Sequence, residues 1–196
     1  MIFKIIPGGA FVENTYVIQS EENDEIILID PGSQISEIEE VLSNLKFEKV
    51  HIWNTHGHLD HAYGVDYFKK KYAADFNIHE KELPILDAMT TAASRFGIPE
   101  FSDAVVPKVD NFIKEEEEYV IGNLFFKTIL VPGHSPGSIC FHFTKDLNPK
   151  HNIVEDILIC GDTVFAGSVG RVDLTGGTNM EDLVGNINNK ILTLNM

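Results

Sequence analysis

Short apolar runs bounded by turn residues open the chain. Phe3 to Ile6, Thr15 to Gln19 and Glu25 to Ile29 predict three strands, with turns at Pro7-Gly8-Gly9 and Glu22-Asn23-Asp24. The period then changes. Ile35, Ile38, Leu42 and Leu45 share one face of a helix, for which Ser36 and Glu39 are placed as a capping box. A strand from Lys49 to Trp53 follows. Tyr63 to Tyr72 reads as a helix with Val65 and Phe68 inward, and its three lysines sit at the end where the helix dipole favours cations. Asp75 to Ile78 predicts a short strand, and Glu80 to Ser94 a helix ending at Arg95-Phe96-Gly97. The mixed stretch from Ile98 to Val109 reads as loop. Strands resume at Phe112, Tyr119 to Ile121, Leu124 to Val131, Ile139 to Thr144 and Asp156 to Cys160. A last helix, Met180 to Leu192, has Thr178 and Glu181 as its capping box. Strands and helices thus alternate in two batches, the pattern of an α/β (α+β) chain with two packed sheets and helices outside.

At 196 residues the chain suits one domain spanning 1–196, and 43% apolar with 23% charged residues is a soluble globular composition. A formal net charge of −15 argues against nucleic acid or an anionic membrane as partner. The acidic run Glu115 to Glu118 reads as a solvated turn before a strand. The N-terminal apolar run breaks at Pro7 and makes no signal peptide, and no stretch approaches membrane-span length. Cys140 and Cys160 lie in apolar strand-like runs and read as buried thiols, which implies a cytoplasmic setting.

The chemistry concentrates in His56-Gly57-His58-Leu59-Asp60-His61, directly after the apolar run that ends at Trp53. Four metal-capable side chains in six residues converge only if the backbone turns sharply, which Gly57 permits. Imidazole and carboxylate donors together suit zinc, iron or manganese better than calcium or magnesium. Two further segments end an apolar strand with a glycine turn and one donor: His134 in Val131-Pro132-Gly133-His134, and Asp162 in Cys160-Gly161-Asp162-Thr163. Strand ends hold donors at fixed distances while loops shape access. Asp30, closing the run Ile27-Leu28-Ile29, is placed either to accept a hydrogen bond from a ligand histidine or to cap the turn into Pro31-Gly32. His51 and His142 fall inside strands and read as structural, whereas His79 and His151 read as exposed.

The order of these motifs, from Gly8-Gly9 through Leu28-Ile29-Asp30-Pro31-Gly32 to Gly170-Arg171-Val172-Asp173-Leu174, resembles the metallo-β-lactamase superfamily. Its thioester-hydrolase branch, the glyoxalase II-like proteins, is the most similar. The resemblance implies a four-layer αβ/βα sandwich and a two-metal, zinc-type site. In it His56, His58 and His134 hold one metal, Asp60 and His61 the other, and Asp162 bridges them. Three neutral imidazoles leave a coordination position open for water, and such water becomes a nucleophile near neutral pH. Asp60 and Asp162 then take the catalytic part, and Arg171 is the expected contact for the substrate's carboxylate, although the family's aromatic residue two positions later is Asp173 here. Family members continue into a strand ending in Gly-His-Gly, whereas this sequence stops at Leu194-Asn195-Met196. The expectation is therefore a C-terminally truncated sandwich, a weak second metal position, and an unpaired sheet edge open to homodimerisation.

Hydrolysis of a small acyl-thioester is the leading functional reading. An iron-dependent persulfide dioxygenase is the alternative on the same fold, using His56, His134 and Asp162 as a two-histidine, one-carboxylate set. A weakly metallated non-enzyme is a third reading. The chain has neither a secretion signal nor a cysteine at the Asp162 position, which argues against a β-lactamase.

Overall fold

A computed structural model of the chain describes residues 1–20, 24–150, 153 and 155–194. His151 and most of the turn expected at 22–24 lie outside the described residues. Six strands form the larger sheet in chain order: β1 (Ile2–Gly8), β2 (Glu13–Gln19), β3 (Glu25–Ile29), β4 (Lys49–Trp53), β5 (Asp75–His79) and β6 (Asn111–Ile113). The first three make an antiparallel meander, and β3 to β6 run parallel. Parallel neighbours need crossovers. These carry α1 (Ile35–Ser43), α2 (Leu59–Ala62), α3 (Val65–Tyr72), α4 (Leu83–Asp87) and α5 (Met89–Phe96). The smaller sheet is antiparallel, ordered β10 (Ile157–Ile159), β9 (Ile139–Phe143), β8 (Leu124–Leu130) and β7 (Glu118–Ile121). Among the described residues β10 pairs with β9 alone and forms one edge. A two-stranded ribbon, β11 (Val164–Phe165) with β12 (Ser168–Val169), precedes α6 (Met180–Asn186) and a turn of π-helix, Ile187–Ile191.

Strand side chains alternate between faces, and this alternation builds three cores between four layers. Ile26, Leu28, Val50, Ile52, Phe76 and Ile78 face the helices α1 to α5. Their neighbours Ile27, Ile29 and Trp53 point the other way, against Phe126, Phe141, Phe143 and Ile159 of the second sheet. Beyond that sheet, Ile129 and Cys140 pack with Leu183, Ile187 and Ile191 of the last helical segment. Each fully buried Leu, Ile or Phe contributes about 1.5–3 kcal/mol relative to exposure, so the layers are held by their middles and leave the strand ends free for chemistry.

Several local expectations change. The helix expected from Tyr63 begins earlier, at Leu59, and breaks before Val65. At the break Gly64 donates its N–H to Pro31 O (2.8 Å), and a Cβ there would stand 2.5 Å from Gly32 O. The Glu80 to Ser94 segment is a 3-10 turn (Glu80–Glu82) followed by two helices joined at Ala88. A further 3-10 turn, Pro99–Phe101, interrupts the expected loop and buries Phe101. Neither capping box forms. Gln34 precedes α1, and its amide is drawn instead to Ile6 O (3.0 Å) and Thr15 Oγ1 (2.9 Å), while Glu39 serves Lys71 and Tyr72. Asn179 caps α6 by accepting from Asp182 N at 2.8 Å. His79 is buried rather than exposed. It ends a strand covered on both faces, and its Nδ1 accepts from Lys81 N at 3.2 Å. His51 and His142 are buried in strands as expected. The free thiols also meet, because the antiparallel register that pairs Ile159 with Phe141 brings Cys160 opposite Cys140.

Candidate metal centre

Three loops reach one end of the sandwich. The first follows β4 with residues 54–58 and leads into α2, which carries Asp60 and His61; the second joins β8 to β9 and carries His134, and the third follows β10 and carries Asp162. A backbone bond from Ile139 N to Thr55 O (2.8 Å) ties the first loop to the second across the two sheets. Close approach needs glycine at two positions. A Cβ on Gly161, whose φ is +49°, would lie 2.2 Å from Thr55 Oγ1, and one on Gly170 would lie 1.8 Å from Asp162 O. Any side chain at either place would push the loops apart.

His134 Nε2 stands 2.9 Å from His58 Nδ1 and 3.2 Å from His56 Nε2, and the three ring nitrogens lie within 4.8 Å of one another. Tetrahedral zinc with bonds of ~2.0–2.1 Å separates its nitrogen ligands by about 3.3 Å, so the cluster has the span of a metal's ligand set. The outer ring nitrogens support this. His134 Nδ1 donates to Arg171 O (2.7 Å) and His58 Nε2 to Thr175 O (3.2 Å), which turns the unprotonated nitrogens of both rings inward. His56 Nδ1 meets Thr55 Oγ1 at 3.0 Å. Burial lowers the pKa of all three, with neighbouring imidazoles adding to it, and His58 falls to about 4. They are neutral at pH 7, the form that binds a metal.

Beside them lies a group of different make-up. His61 Nε2 is 3.2 Å from Asp162 Oδ1 and 3.7 Å from Asp60 Oδ2, and its Nδ1 is 3.0 Å from Asp30 Oδ2. Burial disfavours charge on this ring, but Asp60, Asp162 and Asp30 outweigh it and raise the His61 pKa well above its usual value. Asp162 points Oδ1 at His61 and Oδ2 at His134 (3.7 Å), one oxygen to each group. Burial would raise the Asp162 pKa, yet its histidine neighbours hold it below the usual carboxylate range. Asp30 is fully buried with φ +49°, a left-handed conformation that aspartate tolerates. Besides His61 it accepts from Thr55 N (2.7 Å) and Thr55 Oγ1 (2.6 Å), so it supports a histidine and braces the loop at once.

His58, Asp60, His61 and Asp162 line a cavity of about 940 Å³ whose wall includes Phe11, Val12, Phe96 and Phe165. Arg171 also lines it, but Asp173 already holds its guanidinium through two bonds of 2.6 and 2.7 Å. Its backbone carbonyl, not its side chain, touches the cluster. The sequence reading missed that carbonyl, the Thr175 carbonyl and Asn54, whose Nδ2 donates to His61 O at 2.8 Å. Asn54 and Thr55 stand directly before the histidine run and could have been suspected from that place. The two carbonyls leave no mark in residue type.

Comparison with known proteins agrees with this geometry. The family model for the metallo-beta-lactamase superfamily matches residues 8–193. Hydroxyacylglutathione hydrolase GloC of Haemophilus influenzae is 33% identical over 201 residues, which is 100% of this chain and 86% of that protein. Probable metallo-hydrolase YqgX of Bacillus subtilis is 30% identical over 99% of this chain and 85% of its own. The crystal structure of the BLEG-1 B3 metallo-beta-lactamase superposes with a TM-score of 0.83 at 32% identity, covering 98% of this chain and 87% of that one. By fold, by the histidine and aspartate donors at its strand ends, and by the match over residues 8–193, the chain belongs to the metallo-β-lactamase superfamily.

Proposed function

We propose that the protein is a metal-dependent hydrolase of a small acyl-thioester. The observation that carries this reading is the junction at Asp162, where one carboxylate addresses a neutral imidazole cluster with Oδ2 and the His61 group with Oδ1. His56, His58 and His134 would hold one metal, Asp60 and His61 a second, with Asp162 between them. Zinc suits this donor set, and iron or manganese are accommodated by the same ligands. Such metals supply polarisation of a carbonyl and activation of water near neutral pH.

The chain's own residues do the rest. The Arg171 and Thr175 carbonyls fix the tautomers of His134 and His58, and Asp30 fixes His61. Asp60, whose pKa burial raises, lines the cavity and is placed to accept the proton lost by the attacking water. As water oxygen bonds to the acyl carbon and the carbon–sulfur bond breaks, that proton passes to the departing thiolate. The apolar wall seats the acyl and carrier chains. Arg171 can reach an anionic carrier once Asp173 releases it.

The identity to GloC supports a thioester substrate. The likeness to a B3 β-lactamase and the dioxygenase alternative fix the controls. Protein purified without chelator or added metal is offered a lactoyl thioester of glutathione, the β-lactam nitrocefin and glutathione persulfide in parallel, with its metal content measured. Thioester cleavage with one or two zinc ions per chain is expected. β-Lactam opening without thioester cleavage would place the activity with the lactamases. Iron together with oxygen uptake on the persulfide would favour the dioxygenase.

A further inference from the structure

Glu82 is the fully buried last residue of the 3-10 turn after β5, and the reaction as described does not use it. Its Oε2 accepts from Gly57 N at 2.8 Å, and its Oε1 accepts from Gly137 N at 2.6 Å and from Ser135 Oγ at 2.7 Å. Gly57 lies between His56 and His58, and Ser135 follows His134. One carboxylate therefore grips both loops that carry the imidazole cluster, and those loops come from different sheets. Among the described residues no cation is recorded as an ion-pair partner of Glu82.

We propose that Glu82 is a positioning residue that sets the distance between His134 and the His56–His58 pair, and with it the affinity of the cluster for metal. The proposal goes beyond the reaction, and it rests on the reading that these three histidines bind a metal. Burying a carboxylate is costly unless hydrogen bonds replace its water. Here three donors from two loops converge on its two oxygens, and the loops bring backbone close because both contacts are at glycines. A Cβ on Gly137 would lie 2.9 Å from Glu82 Oε1, and one on Gly57 would lie 3.3 Å from Oε2. A group with two acceptor atoms is required. An amide in its place offers one oxygen and turns N–H toward N–H at the other loop, so one of the two loops is released.

Glu82→Gln, nearly identical in shape, is the direct test. Metal-free wild-type and variant proteins are titrated with zinc against a chromophoric chelator, well below their unfolding temperatures, and their cobalt-substituted visible spectra are compared. The variant is expected to bind its tightest zinc about 10–100-fold more weakly, the usual cost of losing a partner that orients a ligand, with an altered cobalt spectrum. A purely structural Glu82 would lower thermal stability and leave zinc affinity unchanged in the folded variant, and that result overturns the proposal. Ser135→Ala provides a second arm should Glu82→Gln not fold. It keeps the carboxylate and removes one donor, and a few-fold weakening is expected, whereas unchanged affinity would overturn the proposal. Wild-type protein that takes up no zinc would sink the metal assignment itself, and the role of Glu82 with it.

Discussion

The two donor groups that meet at Asp162 are built from opposite materials. His56, His58 and His134 are imidazoles packed against imidazoles, and burial lowers their pKa values. His61 is an imidazole set among carboxylates, which raise its pKa well above the usual histidine value. Without metal, the first group is neutral and its inward nitrogens are free to coordinate. The second is a knot of carboxylates around a ring that they hold toward its charged form, with His61 Nε2 at ion-pair distance from Asp162 and Asp60 but without a hydrogen-bond partner among the described residues. The difference teaches that one aspartate, with an oxygen toward each group, can join imidazoles that burial keeps neutral to an imidazole that carboxylates hold toward its charged form.

The largest expected effect comes from breaking the all-imidazole group. His58→Ala removes a half-buried loop side chain that bonds Thr175 O and packs against the His56 and His134 rings. Thioester hydrolysis should fall at least about 100-fold, the loss that misplacing a reacting group by 1 Å can cause. Stability should change by no more than about 1 kcal/mol. Near wild-type turnover with the folded variant would remove this group from the chemistry.

A second experiment sharpens the contrast in protonation. In the imidazole group the pKa values are lowered, His58 to about 4, so zinc affinity there should be nearly flat from pH 7 to pH 8. At the His61 position the metal must displace a proton whose pKa is raised, so affinity should climb with pH by about ten-fold per unit, the slope of a one-proton exchange. The imidazole group is then filled first, and most clearly at low pH. Calorimetry in buffers of different ionisation enthalpy counts the protons released. Two equally tight positions with no pH dependence would erase the distinction.

A third experiment probes the acid behind the second group. Glu13 is buried on the cavity wall, and a Cβ on Gly32 would strike both Glu13 Oε1 (2.0 Å) and Asp60 O (2.6 Å), so the two residues crowd one spot. Burial pushes the Glu13 carboxyl up to about 8 from an ordinary 4.5. A raised folded-state pKa means that the folded chain holds a proton the unfolded chain has released. The stability this provides is complete below the ordinary value and is lost as pH rises toward 8, by at most about 1.4 kcal/mol per pH unit. Glu13→Gln should remove that slope in urea unfolding between pH 5 and 8. An unchanged slope would mean that Glu13 is ionised and adds one more negative charge to the knot around His61.

The donor histidines and aspartates were legible because each stands in a short segment of local grammar, an apolar strand followed by a glycine turn. The two-sheet architecture was legible for a similar reason, since periodicity reports which face of an element is buried. Glu82 was not legible, because it lies 25 residues from Gly57 and 55 from Gly137 and reaches them only after both sheets have packed. The capping boxes misled in the same way. The Ser36 pattern was locally sound, but the buried Thr15 hydroxyl and the Ile6 carbonyl compete for Gln34 and place the N-cap two residues earlier. His79 went wrong because a polar residue at a strand end looks solvent-facing until a covering layer is known.

Trp53 is the chain's single tryptophan, and its ring packs edge-on against Tyr119 (4.9 Å), Phe126 (5.1 Å) and Phe141 (6.0 Å) in the seam between the sheets, three residues before His56. The protein thus carries an optical gauge at the root of its histidine loop. Its indole is buried among aromatic rings, and among the described residues Nε1 has no hydrogen-bond partner, so its emission should be blue-shifted while the seam is closed and move to the red when the sheets part. Fluorescence during a zinc titration or a thermal ramp reads the seam directly, with no label attached.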